Sequence, residues 1–302
     1  MWSLFRNSWN LFVRSFALLL ASAVVLAVLY ALLVTFLSRA MDHDVAKVAQ
    51  SFGLPEERYE EYMRRMETGD GDATMEMMQE ISLVAEQLEH MTEGERETYV
   101  LERARSMTDA LSPYFLLFGV FSLILLFCGA LVSLVVFAED HGHVIDVLRR
   151  CGILFFPMLV VWLWAFARSF GWVVFLGFLP GLAILMPVLM LVSSVAAIVM
   201  GPLLVFAPVL LVQERLSPAG AVRESLRRSK GHWGRIVGPL LVLGVLMTLL
   251  HVLLSGGVSA VARFSEGGAF FLGGLVQQLT VFFCMAFLLV LLRSLPAEQR
   301  SR

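Results

Sequence analysis

The sequence predicts an all-α integral membrane protein of about six transmembrane helices, with an acidic helical extracytoplasmic subdomain between the first two. Three observations carry that expectation. Apolar runs of about 20 residues or more recur at 15–37, 113–138, 153–178, 182–212, 236–255 and 269–292, enough for a helix to cross the roughly 30 Å hydrocarbon layer. Strand alternation is absent from these runs, so helices rather than a closed barrel must satisfy the backbone. Charge is also partitioned. Residues 38–111 carry 18 acidic and 8 basic side chains, and the remainder carries 7 acidic and 15 basic. A mean hydropathy of +0.78 is too apolar for an ordinary soluble domain.

Taken in order, residues 1–14 read as an interfacial amphipathic helix. Trp2, Phe5, Trp9, Phe12 and Phe16 recur at helical spacing, and Ser3, Asn7, Asn10 and Arg14 form an opposite polar stripe. The first span, 15–37, precedes Ser38-Arg39-Ala40. Its apolar run of about 23 residues exceeds the roughly 7–15 of a cleaved signal segment, so it reads as an anchor. Residues 38–112 form the acidic block. Within it a helix is expected from Pro55 to about Glu67, ending before Thr68-Gly69-Asp70-Gly71. Met77, Ile81, Val84, Leu88 and Met91 step by four and three like a coiled-coil seam. Thr92 and Glu95 match a capping box that starts a further helix. Val100, Ala104, Met107 and Leu111 continue its stepping toward the second span, 113–138.

A cytoplasmic loop, 139–152, leads to spans three and four at 153–178 and 182–212, meeting at Pro180-Gly181. Three shorter spans, or a re-entrant piece near Pro187 or Pro202, are alternatives there. A basic elbow, 213–235, is followed by span five (236–255), an outer loop (256–268), span six (269–292) and a tail (293–302). Thirteen of the 15 basic residues outside the acidic block then fall on one side, Arg168 and Arg263 excepted. The positive-inside bias makes that side cytoplasmic and holds both termini.

Few groups suggest chemistry. Glu139, Asp140, His141, His143 and Asp146 cluster at the end of the second span, where imidazole and carboxylate suit a cation or a proton. A polar interfacial turn explains them better. Asp42-His43-Asp44 is weaker, since consecutive residues of a helix cannot all face one ion. Arg168 lies near mid-bilayer if 153–178 is one helix, where a charge costs at least about 2.5–3.5 kcal/mol; if the helix ends at Ser169, it is interfacial. Cys128, Cys151 and Cys284 read as small core residues. Gly234 with Gly238, and Gly177 with Gly181, have a spacing that permits close helix contact. No cofactor, metal or nucleic-acid motif is present, and neither is a Walker loop, nucleophile elbow or HExxH.

The most distinctive stretch runs from Ala207-Pro208-Val209 through Trp233. Ser217 can cap a helix with Pro218 at its first position. Val222, Ser225, Leu226 and Ser229 share one face, and Arg223, Arg227, Arg228 and Lys230 surround the other. Gly231 can end the helix. With Trp233 as an anchor, these four cations are the candidate contacts for anionic lipid headgroups, each worth about 1 kcal/mol near such a surface.

On these residues the chain resembles the YciC-like family of bacterial inner-membrane proteins, and the membrane domain of some glycerophosphodiester phosphodiesterases. The shared features are a span ending in Ala-Pro-Val, a polar stop and a basic helix of the Ala-x-x-x-Ser kind, here Ala221 to Ser225. Phe5-Arg6-Asn7 before the first span and Pro157 with Pro180-Gly181 agree more loosely. The resemblance implies a six-span inner-membrane protein with no assigned catalytic residue. Pro180-Gly181 lies far upstream of Ala207-Pro208, and the acidic domain is large, so detailed geometry does not transfer. The expected role is a non-enzymatic, lipid-contacting scaffold or accessory subunit, whose acidic domain faces another envelope protein. The alternative is a transporter or channel for a small anionic solute, using the broken helices at 153–212.

Overall fold

A computed structural model describes residues 1–51, 55–67, 72–73, 75–77, 79–80, 92–138, 144–167, 201–202, 204–262 and 265–295. Every regular element among them is helical: α1 (Trp2–Arg14), α2 (Phe16–Ser51), α3 (Glu56–Glu67), α4 (Glu93–Ala138), α5 (Val144–Phe166), α6 (Ala207–Gln213), α7 (Pro218–Ser229), α8 (Trp233–Ala262) and α9 (Glu266–Ser294). Four helices among the described residues are long and apolar enough to cross a membrane: Phe16–Met41 of α2, α4, α8 and Gly267–Ser294 of α9. The chain is therefore a membrane protein.

Several boundaries differ from those expected. Helix α5 begins at Val144, inside the anticipated loop 139–152, because Val144, Val147, Leu148 and Cys151 carry an apolar helical stripe back from Ile153. Residues 168–200, with Pro180-Gly181 and the Gly177–Gly181 pair, lie outside the described residues. So do Arg263 and the tail beyond Leu295. As the stepping from Val100 to Leu111 into the second span leads one to expect, α4 runs unbroken for 46 residues through Pro113, about 69 Å at 1.5 Å per residue. That is more than twice what a crossing needs. Thr92 starts it as the capping box predicts: its backbone N–H (3.0 Å) and hydroxyl (2.7 Å) both donate to Glu95 Oε2. The two bonds hold the Glu95 carboxyl below its ordinary pKa.

The described chain divides into two units, Met1–Leu29 with Leu125–Arg302, and Tyr30–Ile124. In the first, α9 packs beside both α1 and α8, and α5, α6 and α7 pack on one another. Its core includes Leu131, Leu134, Phe206, Leu210, Phe282 and Phe287. The aromatic stripe of α1 turns toward α9: Phe5 meets Phe287 with centroids 4.9 Å apart, and Phe12 meets Phe283 at 6.0 Å. Steps up α1 thus match steps down α9, so the two run antiparallel.

In the second unit, the Tyr114 hydroxyl donates to Asp44 Oδ2 at 2.7 Å and lies 3.1 Å from the Ala40 carbonyl oxygen. This ties α2 to α4 just before the apolar part of α4, a depth that tyrosine favours. Helix α3 faces residues 72–80 through Arg65–Glu76 (2.6 Å) and Arg58–Glu80 ion pairs. Tyr62 and Ala73 are buried there against Tyr59 and Met77. Met77 therefore serves this small core. The rest of the expected seam, 81–91, lies outside the described residues, and Val100 and Met107 stay about half exposed.

Candidate functional site

The elbow is built by two short helices joined through a tight reversal. Helix α6 carries Ala207, Val209, Leu210, Leu211 and Val212 fully buried, as expected of a helix apolar all round. After it, Arg215 adopts a left-handed backbone, φ 54°, which costs a non-glycine residue roughly 1 kcal/mol. The chain then enters α7 as the sequence predicts. Ser217 Oγ accepts the Gly220 N–H at 3.2 Å, with Pro218 at the first turn. At the far end Gly231 has φ +81°, a conformation that only glycine adopts without strain.

Helix α7 is two-sided. Ala221, Val222, Ser225 and Ser229 are buried, and the helix packs on α5 and α6. Small residues four apart allow that close approach. The apolar face is therefore covered by protein, so lipid can meet α7 only at its charged side. There Glu224 Oε1 accepts from Arg227 Nη2 and Arg228 Nε, both at 2.7 Å. Arg228 Nη2 also reaches Glu214 at 2.8 Å, bridging the reversal between α6 and α7. The bond from Arg227 holds the Glu224 carboxyl below its ordinary pKa, helped by Arg228, although partial burial works the other way. Arg223 and Lys230 are exposed and form no ion pair among the described residues. Trp233 is about half exposed at the start of α8.

Comparisons with protein-family models, with curated proteins and with solved structures found no significant match to this chain. The site rests on its own geometry.

The structure does not gather the other candidate residues. Arg168, Glu139, Asp140, His141 and His143 lie outside the described residues. Asp146 is an exposed residue of the first turn of α5, where a carboxylate complements the helix dipole. Asp44 is engaged by Tyr114. Among the described residues no three His, Cys, Asp or Glu side chains could share a metal ion. Gly234 and Gly238 have no neighbour where a side chain would begin, so that pair makes no close helix contact.

The tightest contact is one that sequence reasoning missed. Gln278 of α9 is 2% exposed. Its Nε2 donates to the Leu125 carbonyl at 3.4 Å, while its buried Oε1 has no hydrogen-bond partner among the described residues. A Cβ at Gly129 would lie 2.1 Å from that oxygen. A single glutamine in an apolar run gives no periodic signal, and its partner is some 150 residues away. An apolar cavity of about 460 Å³ also lies among α4, α5, residues 201–208 and α9, walled by Met158, Trp162, Leu204 and Leu288.

Proposed function

We propose that this chain is a non-enzymatic, multi-pass protein of the bacterial inner membrane that acts as a lipid-contacting scaffold or accessory subunit. The observation that carries the proposal is the division of labour on α7. One face is buried against α5 and α6, and the other presents Arg223 and Lys230 without an ion pair among the described residues. A helix held rigidly with unneutralised cations beside an interfacial tryptophan suits anionic headgroups. Six spans, cytoplasmic termini and an outer acidic block over 38–112 complete the reading, supported by the distribution of Lys and Arg. Membership of the YciC-like family is part of the same proposal and is supported by the Ala221-x-x-x-Ser225 helix. The acidic block would meet a basic surface of another envelope protein.

The test is retention of phosphatidylglycerol or cardiolipin by the detergent-extracted protein. Neutralising Arg223, Arg227, Arg228 and Lys230 together to Gln should lower that retention about tenfold, the effect of losing 1.4 kcal/mol. Unchanged retention by a folded variant would leave these charges with a topological role alone and would remove the lipid reading of the elbow.

A further inference from the structure

A groove of about 350 Å³ lies where α1 and the start of α2 meet α8 and α9, within the usual range of roughly 300–1,000 Å³ for small-molecule sites. Trp9, Phe12 and Phe16 form one wall. The second comes from α8, with Met247, Leu250 and Leu254. The third is α9, from Val276 to Phe283. Each of the last two walls spans eight residues, about 10 Å along its helix. The groove is thus elongated along helices that cross the membrane, the direction in which lipid tails run. Val276–Phe283 begins seven residues inside one end of span six and stops nine short of the other, so the groove sits at the depth of acyl chains.

Its chemistry is equally restrictive. Thr280 supplies the polar atom of the wall, and its hydroxyl is already donated to the Val276 carbonyl at 2.8 Å. Beyond it the lining side chains offer a polar ligand the Trp9 indole N–H at the rim, against apolar groups along the rest of the walls. Trp9 is 56% exposed at the rim, and the exposed Arg6 precedes it by one turn on the same side of α1. Arg6 has no ion pair among the described residues.

We infer that this groove is a phospholipid site, holding one acyl chain between α1, α8 and α9 while Arg6 attracts the phosphate. An acyl chain matches the length, the apolar walls and the surrounding medium, and the long Arg6 side chain can extend from the end of the groove toward the headgroups. Arg6 adds a preference for anionic headgroups. The site is separate from the basic elbow and does not depend on it. The N-terminal helix then acts as one side of a lipid clamp, with its aromatic face shared between α9 and the bound chain.

The experiment has two arms. In the first, native mass spectrometry counts phospholipid retained by the detergent-extracted protein. Leu250→Trp fills the groove and should remove one retained phospholipid, whereas R223Q/K230Q should leave that phospholipid in place. Arg6→Gln should keep a lipid but lose the preference for phosphatidylglycerol over phosphatidylethanolamine. In the second arm, the wild-type chain is reconstituted with phosphatidylglycerol carrying a photoactivatable acyl chain. Labelling should concentrate on α1 and on 276–283, about tenfold above the open face of α8. Equal labelling of both surfaces, or full retention by a folded Leu250→Trp protein, overturns the proposal. Loss of lipid in R223Q/K230Q alone would instead assign all retention to the elbow, so the two readings fail separately.

Discussion

Gly129 and Gln278 compete for one small volume between α4 and α9. With glycine at 129 the amide fits and donates to Leu125. An alanine there would drive the side chain out of its place, breaking the hydrogen bond and opening the contact. Polar contacts inside membranes average about 0.6 kcal/mol and reach about 1.7, so Gly129→Ala should destabilise the protein by about 1 kcal/mol in thermal or detergent-induced unfolding. Gln278→Leu should behave differently. It removes a buried acceptor that has no partner among the described residues, and the Leu125 carbonyl left behind lies inside α4, where its helical bond remains, so the change should be nearly neutral. A large loss from Gln278→Leu would mean that the buried Oε1 is satisfied by a group outside the described residues. Nothing local announces this pair, because neither residue interrupts the hydropathy that marks its span.

The elbow was more legible, since capping and helix ends depend on neighbours in sequence. Ser217, Pro218 and Gly231 mark α7 within a residue at either end. Local sequence does not say what covers an amphipathic face. In α7 the small-residue face lies on α5 and α6, and in α1 part of the aromatic stripe lies on α9. The charge network also has a pH signature. Because the folded Glu224 pKa is lowered, its stabilisation is complete above the ordinary glutamate value of about 4.3. It is lost as pH falls through the lower folded value. Glu224→Gln should therefore melt below the wild type at neutral pH, and the difference should close progressively below about pH 4. A gap that persists at lower pH would assign the effect to packing.

Across the chain, span-forming sequence was the easiest property to read, since crossing a bilayer requires only length and apolarity. The stepping of Val100, Ala104, Met107 and Leu111 carried α4 into its span, and a membrane helix tolerates Pro113 where its neighbours satisfy the freed carbonyl. The charge distribution makes a topological prediction. Asp70→Cys should react with a membrane-impermeant maleimide applied from the periplasmic side, before the inner membrane is opened. Ser294→Cys should react only afterwards. Labelling in the reverse order would invert the orientation and place the basic elbow outside, where anionic lipid is scarcer.

The shared space at Gly129 and Gln278 also constrains inheritance. A side chain gained at 129 is better accommodated with a shorter one at 278, so in descendants of this sequence the two positions should tend to change as a couple. A lineage that keeps the glutamine should keep the glycine.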